Sequence, residues 1–93
     1  MPVFHPGEIL REEYLLPLGL SAGALARKLN VPRTRIERLV KQAQPVTADT
    51  ALRLAKFFDT TPNYWLNMQA AFDLAQQSAA LAEELSHIEV LAA

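Results

Sequence analysis

Arg33, Thr34, Glu37 and Arg38 stand at i, i+1, i+4 and i+5 of one short segment, the spacing at which helical side chains share a face. Their chemistry is complementary to the edges of base pairs. An Arg donates two bonds to a guanine, a Thr methyl meets a thymine methyl, and a Glu accepts from a cytosine amine. Arg27, Lys28, Arg35 and Lys41 flank this set and suit phosphate oxygens, which hold a protein in register on a duplex without reading it. Ser21 opens the preceding segment, and the backbone N–H groups beside it suit a further phosphate.

Charge along the chain supports the same reading. The net charge of −1 hides three unlike pieces. Residues 1–26 carry one Arg against three Glu, and residues 27–56 carry eight Lys or Arg against two acids. Residues 57–93 carry five acids and neither Lys nor Arg. A basic middle is the footprint of nucleic-acid binding, whereas the acidic remainder suits a basic protein partner. Charges that only solvate helix faces are the plainer alternative.

The elements that must position these residues are helices. Pro6 suits a first turn, with Glu8, Glu12 and Glu13 near its positive end, and His5 before it suits a cap. Ile9, Leu10, Tyr14 and Leu16 then line one side until Pro17 and Gly19 end the segment. Ser21 caps a second helix with Leu25, Ala26 and Leu29 inward, and Asn30 tolerates the left-handed turn that follows. The third runs from about Pro32 to Lys41 with Ile36, Leu39 and Val40 on its inner face. Thr47 caps a fourth, whose Ala51, Leu54, Ala55 and Phe58 form a stripe, and Thr61 with Pro62 opens a fifth. That fifth carries Trp65, a core aromatic, and a stripe of Met68, Phe72, Leu74, Leu81, Leu85 and Ile88 that reaches past Glu84. Residues 88–93 read as a frayed helix end or a short strand.

Residues 21–41 meet the demands of a helix-turn-helix. Ala26 is small where the helices cross, Asn30 turns the chain four positions later, and Ile36 fills the core ten positions after Ala26. The expectation is an all-α single domain over residues 1–93, with the motif at about 21–41 and a C-terminal dimerisation segment at about 62–93.

Other function classes find little support. The chain has no cysteine and two histidines near opposite ends, so no metal site or cofactor is expected. There is no glycine-rich phosphate loop or nucleophile elbow, and the expectation is that the protein is not an enzyme. No apolar run is long enough to span a bilayer and the N-terminus lacks the order of a signal peptide, which points to a cytoplasmic protein. Apolar residues make up 51%, too many for a disordered chain, yet 93 residues enclose only a small core. A second copy covering the stripe from Met68 to Ile88 would enlarge it.

The blocks HPGEILREEYLLPLGLS, ALARKLNV and TADTALRLAKFFDTTPNYWLNMQAAFDL, in that order, resemble the HigA-type antitoxins of the Xre/Cro helix-turn-helix class. The resemblance spans residues 5 to 74. It implies a five-helix, lambda-repressor-like domain with an extended C-terminal helix through which two copies dimerise. It further implies repression of the protein's own operon at a palindromic operator, and neutralisation of a small basic RelE- or HigB-like ribonuclease toxin. The family's DNA-reading positions fall on Arg33, Thr34, Arg38 and Glu37. Two departures stand out. Ala22 replaces the Gln that usually follows the capping Ser, and Lys41, Gln42, Ala43 and Gln44 replace a glycine-rich loop, which makes Lys41 or Gln42 the phosphate clamp. Two other readings stay open: a repressor of the same fold without a toxin, and a helical adaptor that binds an acidic protein and no specific DNA.

Overall fold

Pro17 lies inside the first helix rather than at its end. The computed structural model describes residues 3–92, and these are helical or irregular, with no strand among them. Pro6–Ile9 is α-helical, Leu10–Leu15 is a π segment and Leu16–Leu18 is α-helical again. The three run on without a break and together form α1. The Leu16 N–H donates to the Arg11 carbonyl, five residues back. A proline ring inside a regular helix collides with the carbonyl four residues earlier; the wider turn just before Pro17 accommodates it. The same turn shifts the phase of the inner face. Leu15, five residues after Leu10, is 5% exposed, whereas Leu16, expected inside, is 57% exposed.

α2 (Ala22–Leu29) and α3 (Arg33–Val40) follow, then α4 (Ala48–Phe58), α5 (Pro62–Ala80) and a short α6 (Ala82–Ser86). Ser21, Thr47 and Thr61 each accept, through the side-chain oxygen, a backbone N–H of the helix they open. His5 does the same for α1: its Nδ1 accepts the Gly7 N–H at 2.9 Å. Four helices close through a residue in the left-handed conformation, Gly19, Asn30, Gln42 and Asp59. After each, the next residue's N–H reaches back five positions, as from Leu20 to Leu15 at 2.9 Å and from Ala43 to Arg38 at 2.8 Å. Such ends satisfy carbonyls that a helix leaves unpaired and turn the chain sharply.

The core is built from the inner faces of all five long helices. Leu10, Leu25, Ile36, Leu39, Leu54 and Trp65 are buried outright. Trp65 is a core residue, as expected, and its Nε1 donates to the Thr60 hydroxyl at 2.9 Å. α1 approaches the end of α3 at Gly7, where a Cβ would stand 1.8 Å from the Leu39 carbonyl oxygen. Only glycine permits that approach.

Beyond Asp73 the chain leaves the core. The stripe expected to run on past Glu84 is interrupted at Leu81, whose φ of −101° and ψ of 6° separate α5 from α6. Of residues 88–93, residues 88–92 are irregular and form no strand, with the Ile88 N–H still bonded to the Leu85 carbonyl at 3.0 Å, and Ala93 lies outside the described residues. Among the described residues no helix is long and apolar enough to cross a membrane.

Candidate nucleic-acid interface

α2 and α3 cross as a helix-turn-helix. Asn30, with φ 58° and ψ 46°, turns the chain, and its N–H and that of Val31 close the end of α2 on the Arg27 and Ala26 carbonyls. Ala26 and Ile36 are buried at the crossing. α3 begins at Arg33 because Pro32, in an extended conformation, serves as its N-cap. With Ile36 and Leu39 facing the core, Arg33, Thr34 and Arg38 are exposed on the opposite face, and Glu37 is half-buried. Thr34, Glu37, Arg38 and Lys41 line one shallow depression of about 190 Å³.

The structure differentiates these side chains. The Arg33 Nε donates to Glu37 Oε1 at 3.2 Å, and the stem of Arg33 lies over Gly23 of α2, where a Cβ would stand 2.9 Å from its Cδ. Gly23 thus gives Arg33 room. Arg38 and Lys41 form no ion pair among the described residues. Ser21 accepts the Ala24 N–H at 3.0 Å on its hydroxyl oxygen, which leaves its O–H, with the backbone beside it, to donate to a phosphate. Arg27 and Lys28 are exposed in the last turn of α2. Lys28 borders a groove against α4 and not the depression on α3. Gln42 is exposed and left-handed, with φ 62°, a conformation that favours glycine.

Arg35 is placed differently from its flanking neighbours. Its guanidinium donates to Asp49 Oδ1 at 2.6 Å, and the same oxygen accepts Arg53 Nε at 2.8 Å. Bonds from Arg53 and from Arg35 hold the Asp49 carboxyl below the usual carboxylate range. Arg53 also donates to the Leu29 carbonyl at 2.7 Å, capping the end of α2 from α4. Sequence reasoning singled out neither Asp49 nor Arg53; their i,i+4 spacing was the available sign. Gln69 was missed as well. It is buried, accepts the Val46 N–H at 2.8 Å through Oε1, and donates to Asp73 at 3.0 Å. The loop that follows α3 is tied by it to α5.

The six residues proposed for self-association divide in two. Met68 packs against the core and Phe72 meets the His5 ring edge-on at 4.9 Å, so both are half-buried within their own chain. Leu74, Leu81, Leu85 and Ile88 are exposed along the C-terminal arm, residues 73–92.

The helix-turn-helix family matches residues 10–65. Virulence-associated protein I of Dichelobacter nodosus is 58% identical over 74 residues, covering 80% of this chain and 68% of that protein. Among solved structures, a Pseudomonas aeruginosa antitoxin HigA with the higBA promoter superposes with a TM-score of 0.93 at 38% identity, covering 98% of this chain and 100% of that one. The antitoxin GraA in complex with its operator superposes with a TM-score of 0.92 at 44% identity, covering 100% and 95%. Fold, motif and sequence agree, and this chain belongs to the HigA-type antitoxins of the Xre helix-turn-helix class.

Proposed function

We propose that the protein, as a homodimer, represses its own operon by binding a palindromic operator, and that it neutralises a small basic RelE-like ribonuclease. The carrying observation is the outer face of α3, where Thr34 and Arg38 project from a helix anchored on its other side by Ile36 and Leu39. Related antitoxins at 38% and 44% identity were solved with promoter or operator DNA, which supports an operator role here.

In this reading Arg33, Thr34, Glu37 and Arg38 meet base edges. Glu37 both holds Arg33 and accepts from a cytosine. Arg27, Lys28, Lys41, Gln42 and the backbone beside Ser21 take phosphates, and Arg35 joins them when it leaves Asp49. Two copies place their α3 helices about 34 Å apart, one turn of B-DNA. The acidic piece from residue 57 onward, free of Lys and Arg, is the part suited to a basic toxin.

Fluorescence anisotropy on DNA from upstream of the protein's own gene, with scrambled DNA beside it across a salt series, tests the repressor reading. Selective binding that persists above about 150 mM salt is the expected result; equal, salt-abolished binding to both would leave only non-specific attraction. Co-purification with a small basic protein encoded beside it, together with relief of that protein's RNA cleavage, tests the antitoxin reading.

A further inference from the structure

The outer face of α4 is more apolar than a solvated surface requires. Asp49, Leu52, Arg53 and Lys56 follow one another at i, i+3, i+4 and i+7, and Phe57 stands beside them. With Lys28, Leu29 and Asn30 from the end of α2 they line a groove of about 600 Å³. Leu52 is 60% exposed and Phe57 40% exposed on its wall. Arg53 and Asp49 neutralise each other, so the free charges of the groove are the two cations Lys28 and Lys56.

The arm has the opposite character. Leu81, Leu85, Ile88, Val90 and Leu91 are exposed, interleaved with Glu83, Glu84 and Glu89 and with no basic residue. Every residue from Asp73 to Ala92 is exposed, so the arm finds no seat on its own domain. The molecule is accordingly long, 53 × 24 × 23 Å. Apolar surface of this extent is seldom left to water on a free monomer.

We propose that the groove between the end of α2 and the outer face of α4 seats the C-terminal arm of a second copy of this chain. The wall of Leu52 and Phe57 takes apolar side chains of the arm, and Lys56 meets its glutamates, which leaves Lys28 at the rim for a phosphate. By two-fold symmetry each copy gives an arm and receives one, so the contact is made twice and closes. This inference rests on the dimeric reading above and adds to it a receptor surface. The dimer then joins the arm of one copy to the helix that caps the other copy's helix-turn-helix through Arg53.

The native chain has no cysteine, which makes paired single-cysteine variants clean probes. Full-length Leu52→Cys is mixed with Leu81→Cys, Leu85→Cys or Ile88→Cys and mildly oxidised. A disulfide between unlike chains is expected for at least one pairing, since it requires Cα atoms within about 7 Å. Sedimentation velocity runs alongside. Leu52→Glu is expected to weaken the dimer about tenfold or more, and Lys56→Glu to weaken it in a way that Glu83→Lys with Glu84→Lys restores. Leu52 is a surface residue, and unchanged circular dichroism confirms that its variant folds. A stable dimer that cross-links only arm to arm, or that is indifferent to Leu52→Glu, overturns the groove while leaving the dimer. A native chain that sediments as a monomer overturns both.

Discussion

The Leu39 carbonyl oxygen, in the last turn of α3, lies 1.8 Å from where a Cβ on Gly7 would stand. The first turn of α1 therefore rests directly on the backbone of α3, and the opposing group is backbone that cannot rotate aside. Gly7→Ala is expected to cost about 1–3 kcal/mol of stability, the usual penalty of overpacking, read by urea unfolding. It should also weaken operator binding, because α3 must shift to make room. A variant with unchanged stability would mean that α1 and α3 are not in this contact.

His5 makes the same junction sensitive to pH. Burial lowers its pKa from the ordinary value, against the opposing pull of Asp73 and Glu8, so the folded protein holds it neutral with Nδ1 free to accept from Gly7. Because the folded pKa lies below the unfolded one, the unfolded chain binds more protons in the interval between them. This contribution is complete above about pH 6.5 and is lost as the pH falls through the folded pKa. Urea unfolding at pH 7.5 and 5.5 should show the loss, and His5→Asn, which keeps a capping oxygen without the titration, should remove it. His5→Ala is expected to cost about 1 kcal/mol at neutral pH.

Two positions separate backbone strain from packing. Gly19 has φ 62° and open space around its missing Cβ, so Gly19→Ala reports the left-handed penalty alone, about 1–2 kcal/mol. Gln42 occupies the same conformation without being glycine. Gln42→Gly is expected to stabilise by about 0.5–1 kcal/mol, the relief being partly offset by a freer unfolded chain. Thermal melts of the two variants should move in opposite directions.

Much of this architecture was readable in the residues. The hydroxyl caps at Ser21, Thr47 and Thr61, the turn at Asn30 and the stripe Ala51–Leu54–Ala55 stand where local chemistry puts them. Local rules failed where a distant group decided. Pro17 did not stop α1, because a π turn absorbed its ring and exchanged Leu15 for Leu16 on the inner face. Gln69 is polar, yet it follows Trp65 by four residues and is drawn inside to serve the Val46 N–H. Arg35 looked free, and only the return of α4 beside α3 brings Asp49 to it. The break at Leu81 has no proline or glycine to announce it.

The reading face predicts a graded series. Arg38→Ala and Arg33→Ala should each cost about 1–3 kcal/mol on the operator and relax specificity at one position, whereas Arg27→Ala should weaken all sequences alike and lower the salt slope by about one. Arg35→Ala should change DNA affinity less than Arg27→Ala, since Asp49 already occupies its guanidinium. Anisotropy titrations at several salt concentrations distinguish these cases. Full-strength binding by Arg38→Ala would show that another face reads the DNA.

Gln69 is one polar strut across an apolar interior, with the exit loop of α3 on one side and the helix that becomes the arm on the other. A partner that twists or straightens the arm therefore pulls on the mounting of α3 without touching it. In the proposed function this amide is the link between operator binding and partner capture. Gln69→Met, which keeps the volume and removes the bonds, should leave DNA binding indifferent to whatever grips the arm.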